Sequence, residues 1–233
     1  DLIEPGSTMK PITAAAALNT GRITAATRYD TNPGTMALGK YTIRDHHNYG
    51  VLDVTGIITK SANLGAVKLA EPLPGQYFYE FIKGFGYGSV PDSGFPGEAA
   101  GVLREPARWD GLTKATMAYG YGLSVTPLQI AQAYAALGNH GRLITPTFVK
   151  GQINEPSQAV SPEIADQVLK MMQTVTEPGG TATQAAILGY HVAGKTGTAR
   201  QASGGGYARR YTTTFAGLVP STNPRFATVV VIN

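Results

Sequence analysis

The sequence predicts an α+β fold, with helices through most of the chain and an antiparallel sheet at its end. Two observations carry this. Apolar residues recur at helical spacing, with Ile164, Val168, Leu169, Met172 and Val175 on one side of Pro162–Thr176, and Ile130, Ala133, Tyr134 and Leu137 along Pro127–Leu137. The last third carries three β-rich runs instead, His191–Thr198, Thr212–Val219 and Phe226–Ile232. With 233 residues, 42% of them hydrophobic and 15% charged, the chain can bury a sizeable core and does not read as disordered.

Ser7 to Asn19 reads as the first helix, rich in alanine, entered through Pro5-Gly6 and stopped by Gly21. Gly21 to Val51 is turn-rich, with a short strand at Lys40–Arg44. Asp53 to Ala70 is helical, with a candidate break near Ser61, and Tyr77 to Phe85 is another helix. The Gly and Pro residues of Gly86–Trp109 mark a loop. Gly111–Tyr119 and Pro127–Leu137 are helices, Leu143–Ile153 is extended, Pro162–Thr176 is an amphipathic helix and Thr181–Leu188 a short one. Gly204-Gly205-Gly206 joins the first two strands, and Ser221-Thr222-Asn223, before Pro224, turns into the third. A three-stranded sheet ending at the terminus leaves an open edge. Residues 1–233 therefore read as one domain fragment, truncated at both ends, with further strands expected outside it.

Net charge is +4 and the sequence pI about 9.2, but Arg209-Arg210 is the only adjacent basic pair, so the charge reads as solvated surface and predicts no nucleic-acid partner. The absence of cysteine excludes disulfides, thiolate catalysis and zinc–thiolate sites, and fits a periplasmic protein. His46-His47 would point to opposite faces of an extended segment and no H-E-x-x-H occurs, so no metal site is predicted. No apolar run approaches the roughly 20 residues of a membrane span, and no signal peptide is visible. An anchor would lie outside the fragment.

Gly189-x-x-x-x-Gly194-Lys195-Thr196 satisfies the phosphate-loop pattern, while Lys195-Thr196-Gly197 is also one of three boxes found together in serine acyl-transfer enzymes. A phosphate loop follows a buried strand and opens into a helix. Here T-A-T-Q-A-A-I-L precedes it and three adjacent glycines follow, so that context fails on both sides. The other two boxes are present: S-x-x-K as S-T-M-K at Ser7–Lys10, and S-x-N as S-A-N at Ser61–Asn63. By chance each is expected about 0.1 to 0.35 times in a chain of this composition, and all three in this order about 0.002 times if independent.

The chemistry needs these residue types. Ser7 and Lys10, three apart, share a helix face, so the serine can touch the lysine amine. Pro11 confines this pair to a helix start, where Ser7 lies in the positive field of the N-terminus and its N–H is free for an oxyanion. A serine hydroxyl needs a base, and Lys10 can serve only if neutral. Burial and a second cation, for which Lys195 is the candidate, both push that way. Ser61 would relay a proton to the leaving amine, and Asn63 offers a donor and an acceptor to a substrate amide. S-A-N also reads as a helix-capping turn. Lys195 and Thr196 supply a cation and a hydroxyl for a carboxylate. Gly197 lets a substrate backbone approach the strand, and the Thr198 N–H is the candidate second oxyanion donor. Tyr119 and Tyr121 are structural aromatics that could also wall a cleft.

E-P-G-S-T-M-K-P, S-A-N-L-G, A-Y-G-Y-G-L-S-V-T-P-L-Q, G-K-T-G-T-A-R and P-R-F-A-T-V-V-V-I-N together resemble the class B penicillin-binding proteins, the peptidoglycan D,D-transpeptidases of the cell-division (septal) type. Ser61 follows Ser7 by 54 residues and Lys195 follows Ser61 by 134, whereas serine β-lactamases place the last two boxes closer together. No E-x-x-L-N segment occurs, and G-Y-G stands where elongation-type relatives carry Gln between the glycines. The resemblance implies a penicillin-binding/serine β-lactamase-like fold, an antiparallel sheet with helices on both sides. It implies cross-linking of peptidoglycan stem peptides through a Ser7 acyl-enzyme, without cofactor, and acylation by β-lactams. It further implies an N-terminal anchor and pedestal domain, a partner glycan polymerase, and a place at the periplasmic face of the inner membrane. A serine β-lactamase and a non-catalytic β-lactam sensor domain are the alternatives.

Overall fold

A computed structural model describes residues 1–203 and 206–233. Gly6–Met9 form a 3-10 turn that runs into helix α1 (Lys10–Leu18). The single helix expected over Ser7–Asn19 is thus two geometries. Pro11 has no N–H for the Ser7 carbonyl, which accepts the Lys10 N–H instead, closing the tighter turn. All nine residues of α1 are buried. Ala14 to Ala17 supply high helix propensity on a thin cylinder, which lets neighbouring helices come close.

The turn-rich stretch holds more sheet than expected. β1 (Arg28–Asp30), β2 (Thr35–Leu38), β3 (Tyr41–Arg44) and β4 (Val51–Asp53) form two antiparallel pairs, β1 with β4 and β2 with β3. Asp53 then caps α2 (Val54–Lys60), its carboxylate accepting the Gly56 N–H at 2.6 Å. Ser61 ends α2 in the left-handed conformation, φ 59° and ψ 41°, and α3 (Asn63–Ala70) begins two residues on. The expected break is therefore a full reversal of backbone handedness at a non-glycine residue, a strain of about 1–2 kcal/mol.

α4 (Gly75–Gly84) precedes the loop, α5 (Thr113–Met117) is shorter than expected, and α6 (Pro127–Gly138) starts from a Thr126/Gln129 capping box. Leu143–Ile153 is not a strand. Only β5 (Arg142–Leu143) pairs, with β6 (Ser157–Gln158), and the intervening residues leave Phe148, Val149 and Ile153 exposed. Isolated apolar residues there imitate a strand without a partner to pair with. α7 (Pro162–Gln173) buries Val168, Leu169 and Met172, about 1.5–3 kcal/mol for each side chain. Thr181–Leu188 reduces to a 3-10 turn at Thr183–Ala185: Ala182 and Ala185 reach the core, while Ala186–Leu188 are exposed and bury no apolar face as a helix would.

β7 (Ala193–Ser203), β8 (Gly206–Val219) and β9 (Phe226–Ile232) form an antiparallel sheet in that order, with β8 central and β7 and β9 at its edges among the described residues. Gly204-Gly205, expected to turn between the first two strands, lies outside the described residues. The period-2 rule holds along β7: Lys195, Gly197 and Ala199 are buried, while Thr198 and Arg200 are exposed. α6 packs on β8 and β9, α7 on β7, and α1 runs beside α2, α3, α4 and α7. β9 turns Ala227, Val229 and Val231 to this core and leaves Phe226, Val230 and Ile232 exposed on the other face.

Candidate active site

Three segments far apart in sequence meet where the 3-10 turn, the α2–α3 junction and β7 converge. Lys10, the first residue of α1, is fully buried. Its Nζ donates to Ser61 O at 2.6 Å, Ser61 Oγ at 3.1 Å and Asn63 Oδ1 at 2.7 Å. Lys195, on the inward row of β7, is also fully buried, and its Nζ donates to Ser61 Oγ at 2.9 Å and to Thr196 O at 3.1 Å. One hydroxyl, Ser61 Oγ, therefore lies between two buried amines.

Ser7 is half-buried in the turn at the foot of this cluster, and its Oγ makes no hydrogen bond among the described residues. No Ser7–Lys10 hydrogen bond is made among the described residues; the amine lies instead within hydrogen-bond distance of Ser61 O, Ser61 Oγ and Asn63 Oδ1. The Thr198 backbone does lie beside the turn: a Cβ placed on Gly6 would stand 3.6 Å from Thr198 N. Asn63 spends much of its amide on protein groups, Oδ1 on Lys10 and Nδ2 on Arg44 O at 2.8 Å, leaving one N–H for another partner. Thr196 is half-buried, and its hydroxyl meets that of Thr181 at 3.1 Å. Tyr121 donates its hydroxyl to Thr198 O at 3.4 Å and stacks edge-on against Tyr119. Gly197 has a packing reason of its own, since a Cβ there would meet Pro5 O at 2.9 Å and Thr8 Cγ2 at 3.1 Å. Its bareness lets β7 lie against the Ser7 turn.

Residues 1–233, the whole chain, match the family model of the penicillin binding protein transpeptidase domain. The chain belongs to the penicillin-binding protein transpeptidase domain family. It is 42% identical over 235 residues to "Probable peptidoglycan D,D-transpeptidase PenA" of Neisseria gonorrhoeae, and 39% identical over 235 residues to "Peptidoglycan D,D-transpeptidase FtsI" of Escherichia coli (strain K12). Each match covers 100% of this chain and 40% of the relative, so the chain spans about two fifths of the length of these curated relatives. Among solved structures it is similar to the apo transpeptidase domain of Burkholderia pseudomallei penicillin-binding protein 3, with TM-score 0.95 and 40% identity over 100% of this chain and 72% of that one. These relatives place the transpeptidase domain with the class B penicillin-binding proteins.

Electrostatics of the transpeptidase domain follow from burial. Burial drives Lys10 well below its ordinary value, the Lys195 charge pushes the same way, and Asp45 opposes them. Burial brings Lys195 down from 10.5 to about 7. Between about pH 7 and 10.5 the unfolded chain holds a proton on Lys195 that the folded chain has released, so stability rises with pH across that window. Below it the folded domain bears the cost of a buried ammonium. Lys195→Met is expected to raise the melting temperature at pH 7 by on the order of 2–6 °C and to flatten the rise above pH 7. Calorimetry from pH 6 to 10 checks this; a lower melting temperature at pH 7 would show that the lysine's hydrogen bonds outweigh its desolvation.

Three contributors had no sequence motif. Thr181 reaches Thr196 from a loop fastened by Lys60 Nζ to Gly179 O at 2.8 Å. Gly120, at φ +92°, is pressed against Gly6, whose N–H donates to Gly120 O at 3.0 Å. Asp45 holds the start of α3. Only Gly120 left a signal in the sequence, inside the A-Y-G-Y-G stretch. Among the described residues no three His, Asp or Glu side chains gather as a metal site, and none forms a helix long and apolar enough to cross a membrane. A cavity of about 680 Å³ between Phe95 and Phe148 shares no residue with the serine–lysine cluster.

Proposed function

We propose that this domain is the catalytic part of a peptidoglycan D,D-transpeptidase of the cell-division type. The observation that carries the reading is Ser61 Oγ held between two fully buried lysines beside the Ser7 turn. A neutral Lys10 has two N–H donors and one lone pair, so it can donate to two of its three oxygen neighbours, Ser61 O, Ser61 Oγ and Asn63 Oδ1, and keep the lone pair for a proton. Ser7 Oγ gives its proton to Lys10 and attacks the carbonyl carbon of the D-Ala–D-Ala bond. The Ser7 and Thr198 N–H groups hold the oxyanion. The proton passes from Lys10 through Ser61 to the leaving nitrogen, the C–N bond breaks, and D-Ala departs. An amine of a second stem peptide then attacks the acyl-enzyme, restoring Ser7 and forming the cross-link. Lys195, Thr196 and the Thr198 hydroxyl receive the substrate carboxylate. Asn63 orients the substrate amide, Tyr121 walls the cleft, and the outer edge of β7 at Gly197 accepts an extended peptide. β-Lactams acylate Ser7 as substrate mimics. We assign the whole protein to the periplasmic face of the inner membrane, with a glycan polymerase as partner. The relatives' names, both peptidoglycan D,D-transpeptidases, support the transpeptidase reading.

The test is mass spectrometry of the full-length protein after treatment with labelled penicillin. One adduct on Ser7, stable for many minutes, is expected, with labelling of Ser7→Ala down by about 10⁵-fold or more. Turnover of a D-Ala thioester mimic separates the enzyme from a sensor domain. An adduct on another residue, rapid release of penicilloate, or no turnover of the mimic each overturns the reading.

A further inference from the structure

Asp45 follows β3 and belongs to none of the three boxes, yet it touches the site twice. Its Oδ1 accepts the backbone N–H of Asn63 in a short bond and that of Leu64 at 3.2 Å. These are the first two N–H groups of α3, and the residue before them, Ala62, has no side chain that could cap the helix. The cap comes instead from 18 residues upstream. The adjacent carbonyl, Arg44 O, accepts Asn63 Nδ2. Two neighbouring residues thus grip Asn63 by backbone and by amide, and its Oδ1 is left aimed at Lys10 Nζ.

The second carboxylate oxygen, Asp45 Oδ2, is buried with no hydrogen-bond partner among the described residues. A buried carboxylate oxygen of that kind is costly unless a nearby charge offsets it. Lys10 and, more weakly, the neighbouring His46 ring pull the Asp45 carboxyl down. The charges acting on Lys10 are Lys195, which opposes its protonation, and Asp45, which favours it. The Tyr49 phenol, from the same loop, also feels Asp45.

We propose that Asp45 is a positioning residue of the site: ionised, it caps α3, keeps Asn63 in register with Lys10, and supplies the negative charge that acts on Lys10. The inference rests on the acyl-transfer reading above and deepens it. Asparagine at 45 keeps the accepting oxygen and loses the charge, whereas alanine loses both. Burial pushes the Asp45 carboxyl above the usual range, against the pull of its two N–H bonds and of Lys10.

The rate of Ser7 acylation by a fluorescent penicillin, followed from pH 4.5 to 9 in the full-length protein, separates these roles. In Asp45→Asn the acid limb of the profile moves to lower pH by about one unit, because removing the negative charge makes Lys10 easier to deprotonate. In Asp45→Ala the maximal rate also falls, about tenfold or more, as Asn63 loses its anchor. An Asp45→Asn profile superimposed on the parent's, or an Asp45→Ala maximum equal to the parent's, overturns the proposal. Should either variant fail to fold, the parent protein still decides. The ¹⁵Nζ resonance of Lys10 is expected to follow two titrations, its own and one step from Asp45 above the usual carboxylate range; a single step overturns the proposal. Failure of the parent protein to label at Ser7 would instead defeat the acyl-transfer reading and leave the resonance test standing.

Discussion

Lys10→Met is expected to lower Ser7 acylation by penicillin between about a hundredfold and ten-thousandfold, the usual worth of a general base. Methionine fills a similar volume, and position 10 is fully buried, so the variant folds and loses an amine whose burial was itself costly. The residual rate should lose its acid limb. In the parent domain acylation falls as pH drops through the folded-state pKa of Lys10, because the protonated amine has no lone pair for the Ser7 proton. Burial, with the Lys195 charge beside it, holds that pKa well below the ordinary lysine value, so the base is free at lower pH than a solvated lysine would be. Lys10→Arg is the complementary variant: it keeps a charge that cannot be released and should be as inactive as methionine. Stopped-flow labelling from pH 5 to 9 reads both. An Arg variant with substantial activity would remove Lys10 from the role of base.

Gly120→Ala should have the largest effect on stability. A Cβ at this position would lie 1.9 Å from Gly6 O, 2.4 Å from Gly6 C and 2.5 Å from Gly6 N. All three are backbone atoms, so no rotamer change relieves the clash, and φ +92° is a conformation alanine resists. The loop before α6 and the turn carrying Ser7 must separate, breaking the Gly6 N–H to Gly120 O bond. A loss of about 3 kcal/mol or more is expected, a fall of roughly 6–12 °C in melting temperature. Gly21→Ala is the control, since φ there is also positive, at +69°, but nothing lies within 4 Å of the added carbon. It should cost only about 1–2 kcal/mol. If the two variants melt together, the close approach of Gly120 to Gly6 is not what holds the serine turn.

Much of this molecule was readable residue by residue. The stripe of Pro162–Thr176, the β-rich run His191–Thr198 and the proline after Lys10 are decided by neighbours within a few positions, and the structure places a helix, a strand and a helix start there. The three boxes name Ser7, Lys10, Ser61, Asn63 and Lys195, and the fold brings the last four into one hydrogen-bonded cluster with Ser7 at its edge. Short strands β1, β2 and β4 escaped because a three- or four-residue run carries too little pattern to outweigh its turn residues. Leu143–Ile153 misled for the opposite reason: it has strand-like residues and no partner strand.

What the amino-acid order determined by itself was therefore local: where helices and strands form, and which side chains have the right chemistry. Tertiary structure alone decided that Ser61, 51 residues from Lys10 and 134 from Lys195, would share its hydroxyl with both. It alone decided that both lysines would be dry enough to hold their protons less tightly than solvated lysines do, Lys195 with a pKa brought down to about 7, since desolvation belongs to a packed interior and leaves no trace in a string of residues. The same holds for Asp45 and Gly120, whose partners lie 18 and 114 positions away and are met only after the chain has folded.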